Sequence, residues 1–267
     1  MVIEYREHAV YYIYCTDKNK ATASLIWYVE ISCLVTNPVG LDIDRERAVM
    51  HTYKYISIGL GLLVLTFVTG IFAQEAAMSK LPPPQMEGGK PLMQILKERH
   101  STREFSDKVL SPQVISNLLW AAAGVNRPES GKRTAPSARD WREIDIYVAT
   151  AEAVYRYDNH AHLLQPVRSG DLRAATGVQD FVATAPLNLV YIADLSRMVG
   201  ADKKQQQLYS AADAGFIAQN VYLFCASEGL ATVVRGSIDR KALTKALGLN
   251  KNQRIILAQT VGYPRLR

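Results

Sequence analysis

Arg99-His100-Ser101-Thr102-Arg103-Glu104-Phe105 brings two guanidiniums, an imidazole and two hydroxyls into seven consecutive positions. A phosphate monoester suits such a set. An arginine fork gives two parallel charge-assisted bonds, and hydroxyls serve the oxygens that remain. The competing reading is a solvated helix end, with Arg99 or Arg103 paired on the surface to Glu98 or Glu104. A second polar cluster, Arg133-Thr134-Ala135-Pro136-Ser137-Ala138-Arg139-Asp140-Trp141, follows some thirty residues later. Its serine either reaches a ligand or caps the turn after Pro136. His160 and His162 lack metal-ligand spacing and a carboxylate set, so they read as hairpin residues. Nothing resembles a Ser-His-Asp or Cys-His nucleophilic set. No GxGxxG follows a strand and no phosphate-loop lysine is present, which argues against a dinucleotide fold of the doubly wound type.

The elements that must position these residues are punctuated clearly. Leu92-Met93-Gln94-Ile95-Leu96-Lys97 is an amphipathic run leading into Arg99. Ser111-Pro112 reads as an N-cap with proline at the first helical position, and Val114, Ile115, Leu118, Leu119 and Ala122 form an apolar face closed by Gly124. Residues 127–139 read as loop. Ile144, Ile146 and Val148 alternate with Asp145 and Tyr147, predicting a half-buried strand. Asp158-Asn159 predicts a hairpin turn between Val154–Tyr157 and His162–Leu164. Leu187–Ile192 and Ile255–Val261 read as further strands. Asp213–Glu228 predicts a helix apolar on nearly every side, which a second subunit could cover. Lys203, Lys204 and Tyr209 read as a polar stretch before it. Irregular alternation with an internal hairpin predicts an α+β fold.

The chain of 267 residues, 48% hydrophobic, is long enough for one good core. Its formal charge of +6 permits anionic ligands. The basic residues are scattered and lack an aromatic companion set, so nucleic acid is not an expected partner. Of three cysteines, Cys15, Cys33 and Cys225, the last sits among Tyr222, Leu223 and Phe224 as a small buried hydrophobe. From Met50 the sequence reads as a targeting segment, with Lys54 at its start, an apolar core from Ile56 to Phe72 and a cleavage site after Ala73. An uncleaved membrane anchor through 56–73 is the alternative, because the run is just long enough to span. On this reading residues 1–49 are an upstream extension, 50–73 a signal or anchor, 74–90 a Pro- and Gly-rich linker, and 91–267 the functional domain. The expected location is exported, in a periplasmic compartment, or membrane-anchored.

These motifs together resemble the nitroreductase family of flavin enzymes. Arg99-His100-Ser101-Thr102-Arg103 with Phe105 is similar to the family segment that grips the phosphate and ribityl chain of FMN. Residues 133–141 resemble its Pro-Ser loop, which crosses a homodimer to the partner's flavin. The resemblance thereby implies FMN contacts at Pro136, Ser137, Ala138 and Asp140. Gly215, Gln219 and Asn220, followed by Gly229-Leu230, resemble the dimer helix and its closing turn. Ala231–Ser237, with Val233, Val234, Gly236 and Ser237 as implied contacts, is similar to the segment whose backbone faces the flavin edge.

Tyr155-Arg156-Tyr157-Asp158, His162 and Gly170-Asp171-Leu172-Arg173 resemble more closely the branch with thiazoline and oxazoline ring oxidases. That branch implies a lysine and a tyrosine near Lys204 and Tyr209 as weak proton-transfer candidates, against the reading of a solvated charge run. Asp140 stands where many members have asparagine, Gly236-Ser237 where several have Glu-Gly, and the chain ends at Arg267 without a longer basic tail. Arg265 or Arg267 is the substitute the sequence offers.

The resemblance implies an FMN-dependent oxidoreductase working by ping-pong, with a small-molecule donor and a nitroaromatic, quinone or similar acceptor. A dehydrogenase or oxidase of azoline-ring or peptide substrates is one alternative. A catalytically silent flavin- or ligand-binding dimer is the other.

Overall fold

The computed structural model describes residues 78–265, so the expectations for residues 1–49 and 50–73 lie outside the described residues. The expected α+β fold is what forms. Its frame is a seven-stranded sheet in the order β1-β6-β5-β4-β7-β9-β8, antiparallel at every pairing. The strands are β1 (Ser79–Lys80), β4 (Ile144–Ala149), β5 (Ala153–Asp158), β6 (Leu163–Ser169), β7 (Leu187–Asp194), β8 (Ala231–Arg235) and β9 (Gln253–Gly262). The helices are α1 (Leu92–Glu98), α2 (Pro112–Ala123), α3 (Phe181–Thr184), α4 (Lys203–Glu228) and α5 (Arg240–Leu247).

Local chemistry explains the best-read pieces. Ser111 Oγ accepts from Val114 N–H, Pro112 opens α2, and Gly124 closes it. Leu118, Leu119 and Ala122 are wholly buried, and each buried leucine contributes about 1.5–3 kcal/mol relative to exposure. At the hairpin, Asp158 Oδ1 accepts from the N–H groups of His160 and Ala161, so the turn rests on one carboxylate.

Four expectations are corrected. β4 is buried along its whole length, not half-buried. Ile144, Ile146 and Val148 face the larger core under α2 and α4, while Tyr147 and Ala149 face a second core under α5, with Leu243 and Leu247. α5 supplies the cover that was not anticipated.

The long helix starts ten residues earlier than expected, at Lys203. Asp202 accepts from Gln205 N–H, and the Gln205 side chain reaches back to Asp202 N–H. Its buried stripe runs Ser210, Asp213, Ala214, Ile217, Ala218, Val221, Tyr222, Cys225, leaving Leu208 and Phe216 in solvent. The segment expected to be loop carries a small hairpin of β2 (Val125–Arg127) and β3 (Lys132–Arg133), followed by a 3-10 turn at Ala138–Asp140.

Part of the expected linker is sewn to the domain. β1 pairs with β6, Leu81 is buried, and Gln113 Nε2 donates to Pro83 C=O. Ser116 Oγ donates to Pro82 C=O at 2.6 Å and accepts from His162 Nε2 at 2.7 Å, while Tyr157 O–H donates to His162 Nδ1 at 2.8 Å. His162 is thus a neutral bridge in that chain, and burial holds its pKa below the ordinary imidazole value.

Among the described residues no helix is long and apolar enough to cross a membrane.

Candidate functional site

α1 ends at Glu98, and the chain turns extended at Arg99. Glu98 is already occupied: Lys90 Nζ lies 2.7 Å and Gln94 Nε2 2.8 Å from its oxygens. Those bonds, Lys90's first, hold its carboxyl below the usual range. Arg99 therefore has no ion pair with Glu98, and its guanidinium rests 5.2 Å above the Tyr222 ring. His100 Nδ1–H donates to Glu98 C=O at 2.7 Å, shaping the turn. Arg103 is exposed and enters no ion pair among the described residues. Phe105 is the buried foot of the segment, 5.5 Å from the Phe181 ring and bridged to Pro264.

Tyr222 of α4 organises the neighbourhood. Its hydroxyl accepts from Val234 N–H at 2.9 Å and shares a 2.8 Å hydrogen bond with Ser101 Oγ. Thr102 N–H donates to Thr232 C=O. These bonds follow from β8 lying at the edge of the sheet: in an antiparallel pair the backbone groups of alternate residues turn away from the neighbour, here those of Thr232 and Val234. Gly236, next in that alternation, is exposed beside Ser237. A cavity of about 190 Å³ opens among His100, Thr102, Tyr222, Cys225, Leu230 and Pro264.

Under β8, Arg235 is 4% exposed and faces no carboxylate. It donates to Thr260 Oγ1, Thr176 C=O and Asn188 Oδ1 at 2.8–3.0 Å. Burial pulls its pKa down to about 10. Its fork fills the space beside Gly177, where a Cβ would lie 1.8 Å from Nη1.

The Pro-Ser loop is built differently. Ser137 Oγ accepts from Arg142 N–H at 2.8 Å and donates to Glu143 Oε2 at 3.4 Å, so within this chain it caps the turn. Ala138 N–H donates to Asp213 Oδ2 of α4 at 2.9 Å. Arg139, Asp140 and Arg142 all have φ between 50° and 57°, in the left-handed region that side chains disfavour. Asp140 is gripped by the Arg142 fork at 2.6 and 2.7 Å, which lowers its carboxyl pKa. Pro136 is exposed. Trp141 meets the Tyr209 ring edge-on at 5.7 Å, and Arg139 lies over the indole.

The structure thus brings Arg99, Ser101, Tyr222 and Val234 together, and separately the Pro136–Trp141 loop with Asp213, at Ala138, and Tyr209, at Trp141. Asp213 and Tyr222 are nine residues apart, roughly 13 Å along the helix. Lys204 is exposed and lies about 140° around the helix from Tyr209, so those two do not share a face. Tyr222, Arg235, Asp213 and Glu143 were not singled out from sequence. Their partners lie up to 121 positions away, and no local pattern marks them.

Comparison with known proteins gives a consistent result. Residues 96–263 match the model of the nitroreductase family. The protein named Putative nitroreductase MJ1384, from Methanocaldococcus jannaschii, is 33% identical over 156 residues, covering 55% of this chain and 78% of that one. The crystal structure of a putative nitroreductase from Ralstonia eutropha JMP134 is 46% identical with a TM-score of 0.70, over 73% of this chain and 92% of that one. The NADPH:FMN oxidoreductase from Vibrio harveyi, complexed with NAD+, shares the fold at 22% identity and a TM-score of 0.50, over 66% and 69%. With the family model spanning most of the described domain, and an antiparallel sheet flanked by helices beneath it, the chain belongs to the nitroreductase family of oxidoreductases.

Proposed function

We propose that this chain is an FMN-dependent oxidoreductase acting as a homodimer, taking two electrons from a small donor and passing them to a nitroaromatic, quinone or similar acceptor. One observation carries the reading: Glu98 is held by Lys90 and Gln94, so the Arg99 and Arg103 forks sit uncommitted beside the exposed Ser101 hydroxyl. The residues present fit a flavin mononucleotide. Arg99 and Arg103 would hold its phosphate, Ser101 its ribityl hydroxyls, and the outward backbone edge at Val234–Ser237 its ring. When bound, the flavin supplies the reversible two-electron chemistry, and the protein supplies binding and orientation.

Arg99 would be steadied for that work by the Tyr222 ring, and Ser101 by the Tyr222 hydroxyl. The buried cation at Arg235, just before Gly236, adds positive potential on the side of the strand away from solvent. A cavity of about 190 Å³ is smaller than the roughly 300 Å³ at the lower end of ligand pockets, so one chain offers only part of an enclosure. Exposed Leu92, Met93 and Leu96 on α1 and Phe216 on α4 are the apolar surface a second copy would cover.

The test is the visible spectrum of the full chain after incubation with FMN and desalting. Retained flavin that bleaches anaerobically with a reductant supports the proposal. A folded, colourless protein overturns it in favour of a silent ligand-binding dimer. Rates with NADH, NADPH and dithionite then identify the donor class. Export or membrane attachment through residues 50–73 belongs to the same proposal. An amino terminus at Gln74 in an exported fraction supports cleavage, and an uncleaved chain in the soluble cytoplasmic fraction removes it.

A further inference from the structure

Beneath the Pro-Ser loop lie two acids that the proposed function does not use. Glu143 has no exposed surface and Asp213 is 2% exposed. Glu143 comes from the segment leading into β4, and Asp213 from the third turn of α4. Glu143 Oε2 receives the Ser137 hydroxyl, but Oε1 meets no N–H or O–H donor. What faces the Glu143 carboxyl within hydrogen-bond reach is the Asp213 carboxyl. Two ionised carboxylates in contact and out of water repel each other strongly, whereas one proton between them turns the contact into a hydrogen bond.

The charged groups around the pair relieve that repulsion only in part: Arg197 feels the Glu143 charge, but its fork is bonded elsewhere. Arg142 is committed to Asp140, and Arg197 to Asp145 in a bidentate pair at 2.7 and 3.0 Å. Arg133 points its buried Nε at no acceptor, beside a void of about 10 Å³ shared with Ser137 and Asp213. Burial first, and then the Asp213 charge, raise the Glu143 pKa.

We propose that Glu143 and Asp213 form a proton-sharing carboxyl pair that positions the Pro136–Arg142 loop, and that removing the shared proton loosens the loop. The geometry gives each acid a hold on it: Asp213 through Ala138 N–H, and Glu143 through Ser137, which in turn fixes Arg142 N–H. Arg139, Asp140 and Arg142, three non-glycine residues at positive φ within four positions, need such holds, because each relaxes when released. Glu143 and Asp213 are positioning residues. The loop's catalytic importance rests on the flavin reading, while the proton pair does not.

The sign follows from proton binding. The folded chain keeps a proton that the unfolded chain gives up near an ordinary carboxylate pKa. Fold stability therefore falls as pH rises from that value to the raised one, and is level above it.

The test uses the full chain without flavin, so its failure is distinct from failure of flavin binding. Infrared spectra recorded across pH should show a protonated-carboxyl C=O band that persists above the ordinary carboxylate range and that Glu143→Gln lacks. Tryptic nicking after the exposed Arg139, compared at each pH, should accelerate in the wild type by about tenfold per pH unit between the ordinary carboxylate pKa and the raised one. In Glu143→Gln, whose amide still donates to Asp213, that acceleration should be absent. Asp213→Asn, which accepts from Ala138 and lets Glu143 ionise, should also abolish it and serves if the first variant does not fold. No band lost in Glu143→Gln, or the same alkaline rise in both variants as in wild type, overturns the proposal.

Discussion

The Arg99–Arg103 segment and the Pro136–Arg142 loop are both rich in arginine, serine and strategic acids, yet the fold treats them in opposite ways. At the first, the acid is removed from play by Lys90 and Gln94, and the guanidiniums stay near solvent without carboxylates. At the second, the Arg142 charge is met by Asp140, the serine is consumed in a cap, and two acids are buried beneath. One region leaves its guanidiniums without an ion pair among the described residues. The other uses its bonding capacity internally to hold a backbone that would otherwise relax. Composition does not distinguish a binding segment from a shaped one; the partners of its charges do.

That contrast breaks most visibly at the open segment. Arg99→Ala/Arg103→Ala should weaken FMN binding by roughly 100-fold or more, since each charged hydrogen bond is worth about 1.5–3 kcal/mol. Flavin fluorescence titration reads this directly, and unchanged affinity would remove the phosphate assignment. Melting should move little in the same variant, because neither arginine supports the fold through an ion pair.

Gly177→Ala probes the ground beneath the open region. Its Cβ would drive the triply bonded Arg235 fork from its seat, costing about 1–3 kcal/mol in urea unfolding. A neutral result would mean that the fork swings aside freely. Tyr222→Phe removes one hydroxyl and leaves Val234 N–H and Ser101 without it, so a loss of about 1 kcal/mol is expected, with weaker flavin binding. If binding stays at the wild-type level, Tyr222 serves the fold alone. The smallest effect belongs to the closed region's surface. Asp140→Asn breaks an exposed pair but keeps a residue that tolerates positive φ, so the melting point should shift by no more than about 2 °C. A larger drop would give the Asp140–Arg142 pair a structural weight that its exposure denies.

Much of this was legible in the chain. The cap at Ser111 and the Asp158 turn each depend on residues within four positions, and both form as read. The start of α4 was missed because Lys203-Lys204-Gln205-Gln206-Gln207 looks merely solvated. The informative pattern was Asp202 with Gln205, an N-cap acid answered three residues later. α5 had the same kind of signal in Asp239, Leu243, Leu247 and Gly248, and overlooking it made β4 seem half-exposed. For the site, the nature of the Arg99–Arg103 segment was readable from its side chains. Its commitment was not, because that depends on Lys90 and Tyr222, and the loop's rests on an acid 75 positions beyond Ala138.

The histidine bridge at Ser116, His162 and Tyr157 has a mechanical consequence. The strap at residues 79–85 is where any pull from the preceding chain enters the domain. β1 runs antiparallel to β6, so tension along the strand axis loads its backbone bonds in shear. The bond from Ser116 to Pro82 bears on the same few residues, with the imidazole behind it as a strut. These links lie side by side on the strap, so a load along it is shared among them instead of falling on one bond after another.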